Sequence, residues 1–202
     1  MKLFKYKSID NLWHILDIVL MKRLFCAQWM QLNDPLEGRY TTFLQDENLQ
    51  PLQSSGGHPE VDRFRNNNRI ASLSADGRSL LMWSHYSSGH RGVVIEITLP
   101  VMPDCIHAMN YSPFDAIIDN EALEKSDFKS VLLCKTESWS YECEYRIIFD
   151  KKFYYLKDAS FRVILGAKIE KTHEEILRKA LGDQIEVIKA RIDSYQGCVA
   201  YE

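Results

Sequence analysis

The segment Tyr141-Glu-Cys-Glu-Tyr-Arg146 sets two carboxylates two residues apart, with a guanidinium two residues further on. In an extended chain, residues i and i+2 share a face, so Glu142, Glu144 and Arg146 are expected on one side of a strand. Two carboxylates on one face repel, which keeps a proton on one of them or recruits a cation. One outcome is a structural Glu–Arg pair. The other is a carboxylate aimed at a ligand hydroxyl or at a developing positive charge. Lys135 and Trp139, just upstream, add a cationic and aromatic approach. A second cluster is Trp83-Ser-His-Tyr86, followed by the glycine-bracketed turn Gly89-His-Arg-Gly92. His85 belongs to the residue type whose charge changes near neutral pH, which suits proton transfer. A histidine satisfied at a helix end is the alternative. Asn33-Asp-Pro with Glu37 is turn chemistry first. Its alternative is a polar lip on a ligand site.

These residues need a frame, and the hydrophobic pattern supplies one. Leu3–Tyr6 reads as a strand. Ser8 then caps a helix from about Ile9 to Leu20, with Leu12, Ile15, Leu16 and Val19 on one face. Arg23–Ala27 follows as a strand. Residues 38–68 are polar, with Ser-Ser-Gly-Gly-His-Pro in their midst, and read as an insert or mobile loop. Arg63, Arg65 and Arg69 gather there beside three asparagines, either as a phosphate-binding cluster or as a solvated helix face. Arg69–Ser74 alternates as a strand that carries Ser72 and Ser74. Gly92–Leu99 is a β-branched strand whose Glu96 requires a partner if buried. Cys105–Tyr111 is expected to pair with it. Phe161–Gly166, a helix over Glu174–Leu181 capped by Thr172, and Ile185–Arg191 suggest a right-handed crossover into a parallel pair. The fold class is therefore α+β: one domain over residues 1–202, a mixed and strongly twisted sheet with helices packed on it.

Composition narrows the partners. With 202 residues, 46% hydrophobic and 26% charged, the chain can bury a core without staples. A formal net charge of -3 argues against a broad basic nucleic-acid face. No apolar run is long enough to span a membrane, and the polar N-terminus does not resemble a signal peptide. Five scattered cysteines, never spaced Cys-x-x-Cys, fit reduced thiols in a cytoplasmic protein. His85 and His90 are five apart, and the glutamates lie far off in sequence, so no metal spacing is recognised. Neither a glycine-rich phosphate loop nor a Gly-x-Ser-x-Gly elbow occurs.

Taken in order, Phe4-Lys-Tyr6, Leu32-Asn-Asp-Pro-Leu-Glu37, Ile70-Ala-Ser-Leu-Ser74, Leu81-Met-Trp-Ser-His-Tyr86 and Trp139-Ser-Tyr-Glu-Cys-Glu-Tyr-Arg146 resemble a large bacterial family, domain of unknown function 2971. That label carries no activity. A looser, fold-level resemblance is to the ADP-ribosyltransferases in their arginine-serine-glutamate form. A basic residue on the first strand would be matched by Lys5, or its position taken by Tyr6, where that family has arginine. Ser-x-Ser would be matched by Ser72 and Ser74, and Glu-x-Glu by Glu142 and Glu144. The resemblance implies NAD as candidate substrate. It gives Glu144 the role of stabilising the cationic sugar, Ser72 and Ser74 the ribose side, and Trp83, Tyr86 or His85 the lining of the NAD pocket, with His85 and Tyr86 against nicotinamide or a phosphate. The expected site thus joins Lys5, Tyr6, Asn33, Asp34, Ser72, Ser74, Trp83, His85, Tyr86, Lys135, Trp139, Glu142, Glu144 and Arg146. The competing expectation is a non-enzymatic module that binds a nucleotide or a nucleic-acid end through Arg63, Arg65, Arg69, Lys135 and the aromatics. A hydrolase using His85 with Glu142 or Glu144 is a third. Oligomeric state stays open.

Overall fold

The computed structural model describes residues 1–45 and 51–201. Its centre is a seven-stranded mixed sheet built from β1 (Lys2–Lys7), β2 (Arg69–Ser74), β3 (Val93–Thr98), β4 (Ile106–Ala108), β5 (Glu144–Phe149), β6 (Ser160–Leu165) and β7 (Glu186–Lys189). The strand order is β7-β6-β3-β1-β2-β5-β4. Only the β6–β7 pair is parallel. It is linked by the helix Lys171–Leu181, the crossover that the strand–helix–strand pattern implied. The class is α+β.

The central strand β3 is buried on both faces, as its unbroken β-branched run requires. One side of the sheet packs against the helix Leu12–Leu20 through Ile15, Ile18 and Val19, at the spacing of one helical face. The other side holds a smaller core of Phe4, Tyr6, Met82, Trp83, Val94 and Ile164. Glu96, the one charge in β3, finds its partners in Arg162 at 2.7 Å and Lys2 at 3.1 Å.

Several boundaries differ from the sequence expectation. Ser8 caps a short 3-10 turn, Ile9–Asn11, and the α-helix proper begins at Leu12. The C-terminal helix starts at Lys171 with Glu170 at its cap position, upstream of Thr172. The piece after β3 does not pair with it. Ile106–Ala108 pairs with β5, and Asn110–Tyr111 runs parallel to Cys134–Lys135. The reason is lateral crowding: both edges of β3 are already taken by β1 and β6.

The largest correction concerns residues 38–68. The described part is no loop. Tyr40–Gln45 and Pro51–Ser55 pair, Ala116–Asp119 adds a third strand, and Pro59–Asn67 is a helix. Tyr40 and Val61 are buried with Ile118, Phe128 and Val131 in a satellite core. Their few apolar residues were hidden among polar ones because a small core needs only one or two anchors per element. The middle of the expected loop, residues 46–50, lies outside the described residues.

One departure from regular pairing positions the site. β1 pairs with β3 along its whole length, but it meets β2 only at Phe4 opposite Ser74. Beyond that point β2 turns to Ala27, which exchanges both backbone hydrogen bonds with Ile70 at 2.8 Å. The sheet is therefore split between β1 and β2. The Ser72 carbonyl, left in the split, is taken by the Lys5 ammonium at 2.5 Å.

Candidate functional site

The split opens into a cavity of about 270 Å³. β1 contributes Lys5 and Tyr6, β2 contributes Ser72 and Ser74, and β5 contributes Glu144 and Arg146. Asn33, Tyr86, Lys135 and Glu142 complete its polar lining. Ten residues expected from the sequence thus line one cavity, although they come from six separate stretches of chain.

The carboxylates do not sit as a regular strand would place them. Glu142 ends a 3-10 helix, Glu137–Glu142, and Cys143 adopts a left-handed backbone with φ of 44° before β5 begins at Glu144. That single reversal brings both side chains onto Lys135, whose ammonium is 2.6 Å from Glu142 Oε2 and 3.2 Å from Glu144 Oε2. A β-branched residue is poorly tolerated in this backbone region. Cys143→Val is therefore expected to lose about 1–2 kcal/mol relative to Cys143→Asn in urea unfolding. Equal stability of the two variants would show that the reversal is not required.

Arg146 is the hub. Its Nε donates to Glu144 Oε1 at 2.8 Å, its Nη1 donates to Glu37 Oε2 and to the Leu132 carbonyl, each at 2.8 Å, and its Nη2 donates to Glu37 Oε1. The planar guanidinium fork suits this multiple recognition. Burial pushes the Glu144 carboxyl up, but Arg146 and then Lys135 outweigh it and hold the group at about 2. Burial works against the Lys135 ammonium, and Glu144 and Glu142 outweigh it, so its pKa rises. Tyr86 donates to Glu142 Oε1 and accepts from Asn33 Nδ2 at 2.7 Å. Burial and that carboxylate bond push the phenol upward, which keeps it a proton donor. Three carboxylates (Glu37, Glu142 and Glu144) thus surround two cations, Lys135 and Arg146. By formal charge, these five groups carry one carboxylate in excess of their cations.

Lys5 lines the same cavity and feels the Glu144 charge, but makes no ion pair with the cluster. Burial, with repulsion from Lys7 next in size, brings its ammonium down to about 7. The serines differ. Ser74 is buried and donates to the Glu142 carbonyl at 2.6 Å, so it fixes the Glu142 backbone. Ser72 lines the cavity beside Glu144 and helps to hold that carboxyl low.

Other expected residues fall elsewhere. Trp83 is fully buried, donates to the Gly77 carbonyl at 2.9 Å and stacks on His90, so it builds the core and not the cavity wall. His85 is exposed, meets the Tyr141 hydroxyl at 3.2 Å and lies edge-on to the Tyr86 ring. It does not line the cavity, and neither does Trp139, which receives Lys135 against its ring face at 4.6 Å. Asp34 accepts from the Leu36 N–H at 2.9 Å, which is turn chemistry. Arg65 is committed to Asp62, to the Gly38 carbonyl and to the Trp29 ring, and Lys135 is buried in its ion pairs. Of that set, Arg65 and Lys135 are therefore engaged within the fold, while Arg63 is exposed. Gln31, Leu32 and Met82 were missed as site residues, while Glu37, named for the lip of the Asn-Asp-Pro turn, serves instead as the partner of Arg146. Glu37 carried a signal, since a buried arginine needs a second carboxylate and Glu37 closes the Asn-Asp-Pro turn.

Cys143 is exposed, and burial of its thiol and then Asp76 raise its pKa, which opposes a thiolate role. Among the described residues, no group of His, Cys, Asp and Glu is placed to hold a metal ion. No described helix is long and apolar enough to cross a membrane. No curated protein and no solved structure matches the chain. Over residues 82–147, which bring Tyr86, Lys135, Glu142, Glu144 and Arg146 to this cavity, the chain matches the family described as Protein of unknown function (DUF2971).

Proposed function

We propose that the cavity binds a nucleotide of the NAD type and cleaves its N-glycosidic bond in the manner of an ADP-ribosyltransferase, releasing nicotinamide and passing the ADP-ribosyl group to an acceptor nucleophile or, without one, to water. One observation carries this reading. Lys5, Ser72 and Glu144, on three adjacent strands, meet in the split of the sheet. As nicotinamide departs, positive charge develops on the sugar. A carboxylate already ionised in a water-poor site stabilises that charge without reorganisation. Glu144 meets this condition, because Arg146 and Lys135 hold it at about 2. The unbalanced carboxylate of the cluster adds to the same field. The cavity is slightly smaller than those that enclose whole drug-sized ligands, so the nicotinamide-ribose end enters and the remainder extends along the surface.

Glu144→Gln keeps the shape of the side chain and removes its charge. The wild type is expected to release nicotinamide from NAD. The Gln variant is expected to lose that release by at least about 100-fold while a thermal-shift titration still reports NAD binding. Absence of both release and thermal shift in the wild type, at millimolar NAD, would sink the proposal.

The closed state of the ion network favours a second reading, in which the cavity only binds. Both Glu144 oxygens are already engaged. NAD binding without release by the wild type would select it.

A further inference from the structure

The split that opens the main cavity continues through the sheet. A second cavity of about 180 Å³ lies beyond it, and Lys5, Leu32 and Ser72 line both. Its polar lining differs in sign from that of the first. Lys5 and Lys7 project to one face of β1, two residues apart, and His14 of the helix Leu12–Leu20 joins them. Its carboxylate, Asp17, is already gripped by Arg23, with contacts of 2.6 and 3.0 Å to one oxygen and 3.2 Å to the other. Lys7 has no hydrogen-bond or ion-pair partner among the described residues, and Lys5 holds only a backbone carbonyl. The walls are apolar, from Ile18, Leu24 and Phe25.

Two half-buried ammonium groups facing one apolar recess with no ion-pair partner among the described residues are costly, and burial pulls both amines below their ordinary range, with Glu144 offsetting only part of the effect on Lys5. A protein seldom keeps such a pair for stability, since either lysine could be apolar at lower cost. An entering anion reverses the balance: it supplies the missing charge where the low dielectric makes the attraction strong.

We propose that this recess is an anion-binding site, in which Lys5 and Lys7, with His14 at the rim, hold a phosphate-type oxyanion. The site lies on the opposite face of the sheet from the carboxylate cluster, and it stands whether or not the main cavity turns over NAD. Because Lys5 borders both cavities, an anion held here also fixes the ammonium that closes the split.

Inorganic pyrophosphate is the probe, added to the full chain in a thermal-shift titration with sodium chloride matched for ionic strength. The wild type is expected to melt about 3 °C or more higher at 10 mM pyrophosphate than in the matched salt. Lys7→Met, which keeps the length of the stem, is expected to lose at least two thirds of that rise. Without the probe it melts no lower than the wild type, because an unpaired ammonium has been removed. Lys179→Met, an exposed lysine on the C-terminal helix, is expected to respond as the wild type does. No rise in the wild type overturns the site, and so does an equal rise in Lys7→Met. Citrate in place of pyrophosphate separates a general polyanion site, which answers to both, from a phosphate site; a rise with citrate alone overturns the phosphate assignment. Nicotinamide release is not read in this experiment, so its result is independent of the NAD proposal.

Discussion

Arg146→Met is expected to lower stability by about 3–5 kcal/mol, the usual range for removing one partner from a buried ion pair. For a domain of this size that corresponds to a fall in melting temperature of roughly 6–20 °C. The size follows from what the substitution leaves behind. Arg146 is 1% exposed and engages Glu37, Glu144 and the Leu132 carbonyl together. Without it, Glu37 keeps only Lys135, at 3.8 Å, and three carboxylates face one cation. All three carboxylates are almost fully buried, so the loss is one of desolvation as well as attraction. Arg146→Lys restores a point charge but not the fork that spans both glutamates, and it is expected to recover less than half. Glu37→Gln combined with Arg146→Met should cost less than the two single changes added together, because the double variant leaves fewer charges unpaired. A loss below about 1 kcal/mol for Arg146→Met in urea unfolding would mean that the cluster is open to solvent.

The second large effect is on acid stability. Glu144 falls from its ordinary 4.5 to about 2 in the folded chain. Between those values the unfolded chain binds more protons than the folded one, so stability rises with pH across the window. The stabilisation is fully present above about 4.5 and is lost as the pH falls towards 2. A gap of this size corresponds to about 3 kcal/mol. Unfolding free energies measured from pH 6 down to pH 2 should therefore fall steeply for the wild type. Glu144→Gln should start lower and fall less, because the group that titrates is gone. The same acid slope in both proteins would assign the effect to other carboxylates.

The two results bear on function through one arrangement. The cations that hold Glu144 ionised are those that cage it. A ligand that uses this carboxylate must displace Lys135 or bind beside it, and Tyr86 with Asn33 controls the approach to the neighbouring Glu142.

Local chemistry in the sequence determined a good deal. Alternation and β-branching marked β1, β2, β3, β5 and β6, because a strand must show its buried face every second residue. The apolar spacing of Ile15 and Val19 marked a helix, and strand–helix–strand near the C-terminus marked the parallel pair. Residue type singled out Tyr86, Lys135, Glu142, Glu144 and Arg146, since charged and hydroxylated side chains inside apolar runs need partners, whereas Lys5 and Ser72 came from the resemblance to the ADP-ribosyltransferases. Which partners they have was not local. Trp83 and His85 are two residues apart on one helix, and the packing direction alone sends one into the core and the other to solvent. The pairing of Arg146 with Glu37 joins residues 109 apart in sequence, a separation that no periodicity encodes. The split between β1 and β2 arises because Ala27 takes Ile70 and leaves Lys5 to serve the Ser72 carbonyl. Tertiary structure alone decided that opening, because a strand's own sequence sets its faces while its neighbours set where its ladder stops.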